Sequence, residues 1–446
     1  MKAIISRKLL SFLGCVVFLL CLVGLSAQDD TLAFRGAKII TVTQGTIENG
    51  ILLIKGGKII AVGKNVAIPE GAQVIDVSKH TILPGLIDSF TNLGTTEIEP
   101  MDRDSDEATS PLTPHLRIID ALNPDNSFIP IARKRGVTAA LTAPGEGNLL
   151  SGQSALICLC GETMEDMVLK FPVAVHGNLG ETSKLRYGEK GQMPSTRMGA
   201  AALLRQTLID VQAYSEKILT YEKKLQEYKN KKEKVKKEEK VEKEDKENKE
   251  KKEKESLKEP IPPPTDFKLK SLIPIIKGEQ YLVLRANRQD DILTALRIAE
   301  EFSIKIVINH GAEAYKLADK LAQKNIPVLV GPVGSYFQRI ETRGALYENV
   351  VKLYKAGVKI AFQTGSVENV SNLLYQAENA VRYGLPYEEA VKALTLYPAQ
   401  IFGVDDKIGS LEKGKIANLV VFEGDPLKQL SRVKMVVVKG KVFRTE

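Results

Sequence analysis

Histidine is scarce in this chain. Four residues, at positions 80, 115, 176 and 310, are spread over 446. His80 lies beside Lys79 and His115 follows Pro114, so both read as loop residues. No arrangement of the four builds a site in which imidazoles hold two metal ions. Cysteine is equally rare, with four residues, and Cys15 and Cys21 fall in an apolar N-terminal run. Cys158 and Cys160 have no second pair to complete a zinc site, and they read as small apolar residues of a buried strand. No glycine-rich dinucleotide fingerprint follows a predicted strand, and no Gly-x-Ser-x-Gly elbow occurs, so a serine-hydrolase reading has little support. A glycine- and serine-rich stretch, Gly145-Glu-Gly147 with Ser151-Gly-Gln-Ser154, lacks the following helix that a phosphate cradle needs. Lys plus Arg exceed Asp plus Glu by 63 to 55, yet no basic patch interleaves with aromatics. A nucleic-acid partner is therefore excluded.

What is present begins with a leader. Residues 1–27 carry Lys2, Arg7 and Lys8, then an apolar stretch, then small residues at Ser26 and Ala27. That order predicts a cleaved signal peptide and an exported protein, periplasmic or extracellular. An uncleaved leader would instead anchor it to a membrane. Cleavage would lower the net charge from +8 to +5.

Residues 32–80 read as short strands with glycine turns, and Gly56-Gly57 marks a hairpin. The C-terminal residues show the same pattern. Between them strands alternate with amphipathic helices, as in Tyr281-Leu-Val-Leu-Arg285 followed by a helix begun by Asp290 and Asp291. This rhythm predicts an α/β fold with a parallel sheet, and the number of strands suits a (β/α)8 barrel. Residues 31–82 and 405–446 are expected to share a small composite β-sandwich. Residues 83–404 form the barrel, with an insert at 216–264. Over 216–259 the insert holds 17 Lys against 14 Asp plus Glu and few apolar residues. It reads as a solvated extension of a helix over 198–221 that frays into disorder.

One motif carries most of the chemistry. In Thr81-Ile-Leu-Pro-Gly-Leu-Ile-Asp88-Ser-Phe90-Thr-Asn92 an apolar run breaks at Pro84-Gly85 and ends at an acid. Residues two apart on a strand point the same way. Phe90 offers no donor there, and Asn92 only a neutral amide oxygen. The motif resembles the first barrel strand of the amidohydrolase superfamily, where the corresponding pair is His-x-His. Further stretches resemble the same family: Pro114-His-Leu-Arg, Asp120-Ala-Leu-Asn-Pro124, Pro194-Ser-Thr-Arg-Met-Gly199, His310-Gly-Ala-Glu-Ala-Tyr315, Ala399-Gln-Ile-Phe-Gly403 and residues 409–426. The likeness is closest to a secreted branch similar to imidazolonepropionase and Xaa-Pro dipeptidases.

The resemblance implies hydrolysis of C–N bonds by metal ions at the C-terminal ends of the strands. It also implies where ligands have been replaced. Strand one gives Phe90 and Asn92; strand five, His-Ala-His-Arg in this branch, gives Arg285-Ala286-Asn287-Arg288; strand eight gives Gly365 after Thr364. Strand four, where the family has a bridging Lys or Glu, gives His176, and the strand-six histidine is kept as His310. The expectation is a degenerate enzyme without a metal cofactor, in which Phe90, Asn92, Arg285, Asn287 and Gly365 line a vacated pocket. Arg285, with Arg288 and His115, would bind an anionic small molecule or short peptide. The alternative is a single zinc on His176 and His310, completed by Glu181 or Glu313, with His310 catalytic. A homodimer, or a heterodimer with an active relative, is the partner the family suggests.

Overall fold

The computed structural model describes residues 31–99, 103–241, 258–332, 340–428 and 431–445. The leader and residues 242–257 of the insert lie outside them. Among the described residues no helix is long and apolar enough to cross a membrane.

The two ends of the chain share one sheet. Strands β1 (Leu32–Ile40), β2 (Thr46–Lys55), β3 (Lys58–Gly63), β4 (Gln73–Asp76) and β5 (His80–Pro84) come from the N-terminal side. The late strands Leu419–Glu423, Arg432–Val438 and Lys441–Arg444 continue the sheet, the first of them pairing antiparallel with β5. Gly56 and Gly57, at φ +57° and +74°, make the β2–β3 hairpin turn, a geometry that a side chain would strain. The sheet curls back on itself. Its β3 edge bonds to residues 414–417, through Ile59 N to Lys415 O at 2.9 Å and Gly414 N to Ile59 O at 2.8 Å. The expected sandwich is thus one eight-stranded sheet wrapped around Phe34, Leu52, Ile54, Ile82, Leu419 and Val437.

The barrel follows directly. Its first strand is β6 (Leu86–Thr91), and β7 (Val137–Thr142) pairs parallel to it. Both are buried at every position, as strands covered on two faces should be. The third position is taken by β8 (Leu150–Gln153) and β9 (Ala155–Cys158), which run antiparallel to their neighbours. The expectation of a wholly parallel barrel fails here for a simple reason. A parallel crossover needs about a dozen residues or more, and only residues 143–149 separate β7 from β8. After the short β10 (Val168–Lys170), five strands run parallel: β11 (Ala174–Asn178), β12 (Tyr281–Ala286), β13 (Ile306–His310), β14 (Val328–Val330) and β15 (Ile360–Phe362).

The outer edges, β6 and β15, meet without a regular ladder. Ser89 Oγ donates to Phe362 O at 2.6 Å, and Gly365 N to Phe90 O at 3.1 Å. Inward residues such as Ile87, Ala139, Leu156, Ala174, Val283 and Val307 fill the interior.

A 45-residue helix, Arg197–Val241, precedes β12. Ala200, Leu204, Leu208 and Val211 bury its first turns, where Leu272 and Ile275 of the helix Phe267–Ile276 are buried in the same core. Past Tyr214 no side chain through Lys234 is fully buried. Ile218, Tyr221, Leu225 and Tyr228 recur at spacings of three and four and are half-buried, so the insert has more apolar periodicity than its composition suggests. The extension expected beyond residue 221 is helical through Val241. Deleting residues 226–258 behind a short Gly/Ser bridge should shift the melting temperature by less than about 1 °C, because none of its described side chains is buried in the core. Differential scanning calorimetry of the deletion checks this; a large drop would mean that the insert packs on something.

Candidate functional site at the C-terminal end of the barrel

Three parallel strands set a row of polar residues side by side. In register, Asn178 of β11 lies beside Arg285 of β12, and Arg285 beside Asn309 of β13. Strand pairing alone fixes this row. All three address one residue, Glu146, on the loop between β7 and β8. Asn178 Nδ2 donates to the Glu146 backbone oxygen at 2.6 Å. Asn309 Nδ2 donates to the carboxylate at 2.9 Å, and Arg285 Nη1 donates to its other oxygen.

His310, next along β13, completes the cluster. Its Nε2 lies 2.9 and 3.1 Å from the two carboxylate oxygens. The backbone of His310 is left-handed, at φ +67°. A non-glycine residue there costs about 1–3 kcal/mol and persists only where its surroundings hold it. The contacts with Glu146 do so.

Electrostatics follow from this packing. Burial alone would raise the Glu146 carboxyl, but the Arg285 guanidinium and then His310 outweigh it and hold it at about 2. Arg285 also faces Glu341, 3.9 Å from Nη2, whose side chain is fully buried. Glu341 accepts the backbone N–H of Glu181 at 3.1 Å.

His176 stands apart from this network. It is buried, and its Nε2 has no hydrogen-bond partner. Burial pushes its imidazole down to about 3, against the pull of Glu146, so it is neutral. The Phe90 ring packs against both histidines. Its centroid is 5.5 Å from that of His176 and 6.1 Å from that of His310.

The expected open pocket is therefore a filled one. Phe90 and Asn287 are buried, at 2% and 1% exposure. Asn92 accepts from Val367 N at 2.9 Å and donates to Thr96 Oγ1 at 3.0 Å, which ties two loops together. Gly365 has φ +79°, and a Cβ there would lie 3.5 Å from His310 Cε1. The anion expected on Arg285 comes from the chain itself. The other anticipated contacts lie elsewhere. Arg288 pairs with Asp290 of its own helix at 2.7 Å, and the charges that act on His115 are Lys268 and Asp266. Glu313 bonds Lys316 at 2.8 Å and Gln289 N at 2.9 Å rather than joining the histidines.

Glu146 was not singled out by the sequence as a site residue. Its one signal is an acid isolated between two glycines just ahead of a strand.

Asp88 sits behind this cluster, fully buried. It accepts from Thr364 N at 3.0 Å, from Thr364 Oγ1 and from Phe90 N at 3.3 Å, which joins β6 to the end of β15. Burial raises its carboxyl from 3.8 to about 7, although these bonds oppose the shift. A raised carboxyl stabilises fully below its usual pKa, and that contribution is lost as pH rises through about 7. Asp88→Asn should therefore flatten the stability profile between about pH 4 and 7, measured by urea unfolding across that range.

An amidohydrolase from Thermotoga maritima MSB8 superposes on this structure with a TM-score of 0.80 and 34% sequence identity, covering 93% of this chain and all of that one. The chain belongs to the amidohydrolase family. Residues 290–443 match the amidohydrolase family model. Amidohydrolase tasK of Hapsidospora irregularis is 23% identical over 399 residues, 85% of this chain but 38% of tasK, so the chain spans well under half of that relative's length. A prolidase solved with N-methylphosphonate-L-proline shares the fold, with a TM-score of 0.55, 15% identity, and 93% and 99% of the two chains covered.

For an amidohydrolase, the barrel mouth is where a divalent metal is expected. The donors of this chain do not fit one. Arg285 sets a permanent cation in the cluster, Phe90 places a phenyl ring against both histidines, and the Glu146 carboxylate is shared among three donors. Among the described residues no three His, Cys, Asp or Glu are grouped to hold an ion.

Proposed function

We propose that this amidohydrolase is a degenerate member of its family, exported by the leader at residues 1–27, whose barrel mouth binds a small molecule or short peptide and does not hydrolyse it by metal catalysis. One observation carries the reading. The Arg285–Glu146 ion pair, closed by Asn309 and His310, stands where the family resemblance places metal ligands. A dication introduced there would meet the guanidinium, and the carboxylate best able to bind it already has three donors.

Hydrolysis also needs a base to take a proton from water. The resemblance puts that base at Gly365, which has no side chain. Glu146, held at about 2, is too weak a base for the task.

A second reading has one feature in its favour. The buried, unpartnered Nε2 of His176 is a free imidazole donor, as a mononuclear zinc site on His176 and His310 would require. Activity on dipeptide and lactam panels, with added zinc or manganese, separates the two readings. No turnover that His310→Ala abolishes is expected. Metal-dependent turnover lost in His310→Ala would establish the mononuclear enzyme instead.

A further inference from the structure

We propose that Arg285, Asn309 and His310 form a recognition site for a carboxylate, and that Glu146 is its resident occupant, exchanged for the carboxylate of an incoming ligand. The inference deepens the non-metal reading of the barrel mouth and rests on it.

The donors converge as a receptor would. A guanidinium, an amide and an imidazole meet on the two oxygens of one carboxylate, from adjacent strands that fix their spacing. The guanidinium keeps one further donor unused: Arg285 Nε is buried without a partner.

The cluster also reaches the surface. The side chains of Glu146, Arg285 and His310 are 16%, 15% and 12% exposed, so each has an edge toward solvent. Asn309 itself is buried, so an arriving carboxylate meets Arg285 and His310 first.

Glu146 is built to leave without unfolding its loop. Its backbone is held by Asn178. The flanking glycines press against neighbours: a Cβ on Gly145 would come within 2.6 Å of Asp106, and one on Gly147 within 2.0 Å of Arg186. Asp106 in turn accepts from Gly147 N at 3.1 Å and pairs with Arg186 at 2.9 Å. The backbone is therefore fixed, and rotation of the Glu146 side chain alone vacates the site.

Charge selects the ligand class. Exchange of one carboxylate for another leaves the balance around Arg285 unchanged. A phosphate dianion would add charge beside the buried Glu341, 3.9 Å from the guanidinium. A neutral amide would leave Arg285 without its counter-ion.

Thermal unfolding of the full chain, in chelator and at matched ionic strength, tests this with acetate, acetamide and inorganic phosphate. In Glu146→Ala, saturating acetate should raise the melting temperature by about 2–4 °C. The parent protein should move by less than about 1 °C, because Glu146 competes from within the molecule. Acetamide should have no effect, phosphate should do less than acetate, and adding Arg285→Met should abolish the acetate shift. If Glu146→Ala does not fold, Glu146→Ser, which also vacates the carboxylate position, takes the same titration with the same expectation. No acetate-specific shift, an equal shift with acetamide, or a larger one with phosphate would overturn the assignment. Because the assay is metal-free, its failure is distinct from the appearance of metal-dependent turnover.

Discussion

Arg285→Met should destabilise the protein by about 3–5 kcal/mol at pH 8, among the largest effects of any single substitution here. Methionine keeps much of the volume but removes the charge. Glu146 and Glu341 then share a buried space without the guanidinium that faces both, and leaving charge unpaired in that way is costly. The pH dependence should change as well. In the parent protein the Glu146 carboxyl is depressed to about 2. Its contribution is present above the usual carboxylate range and is lost as pH falls through about 2. Without Arg285 only His310 works against the effect of burial, so the folded-state carboxyl rises. A raised carboxyl favours the fold at low pH and is penalised as pH climbs through its new value. The defect should therefore shrink between pH 8 and pH 5. Urea unfolding at both values checks it. Adding Glu146→Gln should recover part of the loss, because the two residues are directly coupled.

Phe90→Ala should cost about 3–5 kcal/mol, as large-to-small changes in a close-packed interior do. The ring is 2% exposed and sits in the barrel core with Ile87, Leu141 and Val307. The hole would open beside His176 and His310. The neutral, unpartnered Nε2 of His176 would then border a space large enough for water. Phe267→Ala is the matched control, since that ring is 71% exposed and should change stability by no more than about 0.5 kcal/mol. The denaturation midpoints of the two variants make the comparison.

Much of the frame was legible in the sequence because it rests on short-range patterns. Gly56-Gly57 marks a turn that only positive φ can make. The helix Gln289–Phe302 shows Asp290 and Asp291 in its first turn and apolar residues at helical spacing behind them. The residue types at Phe90 and Arg285, which differ from those the family resemblance implies, are plain in the sequence. What could not be read depends on distance. Glu146 and Arg285 are 139 positions apart, and nothing in either neighbourhood announces the other. Arg285 alone points to an anion; that the anion belongs to the chain emerges only when residues 143–149 are seen crossing the barrel mouth. The reversed third strand was hidden for a related reason, since β8 and β9 look like any buried strand and only the shortness of the preceding loop betrays their direction. The reach of the long helix was hidden too, because Lys and Glu at spacings of three and four fit a solvated helix and a fraying one alike.

An internal ion pair standing in place of a metal centre at the barrel mouth would leave no seat for a tightly held zinc ion. Elemental analysis of the purified full chain, after incubation with zinc and exhaustive dialysis, is the decisive measurement, with His310→Ala in parallel. Zinc far below one ion per chain is expected, and the same in both proteins. One tightly held zinc per chain, lost in His310→Ala, would overturn this reading of the barrel mouth.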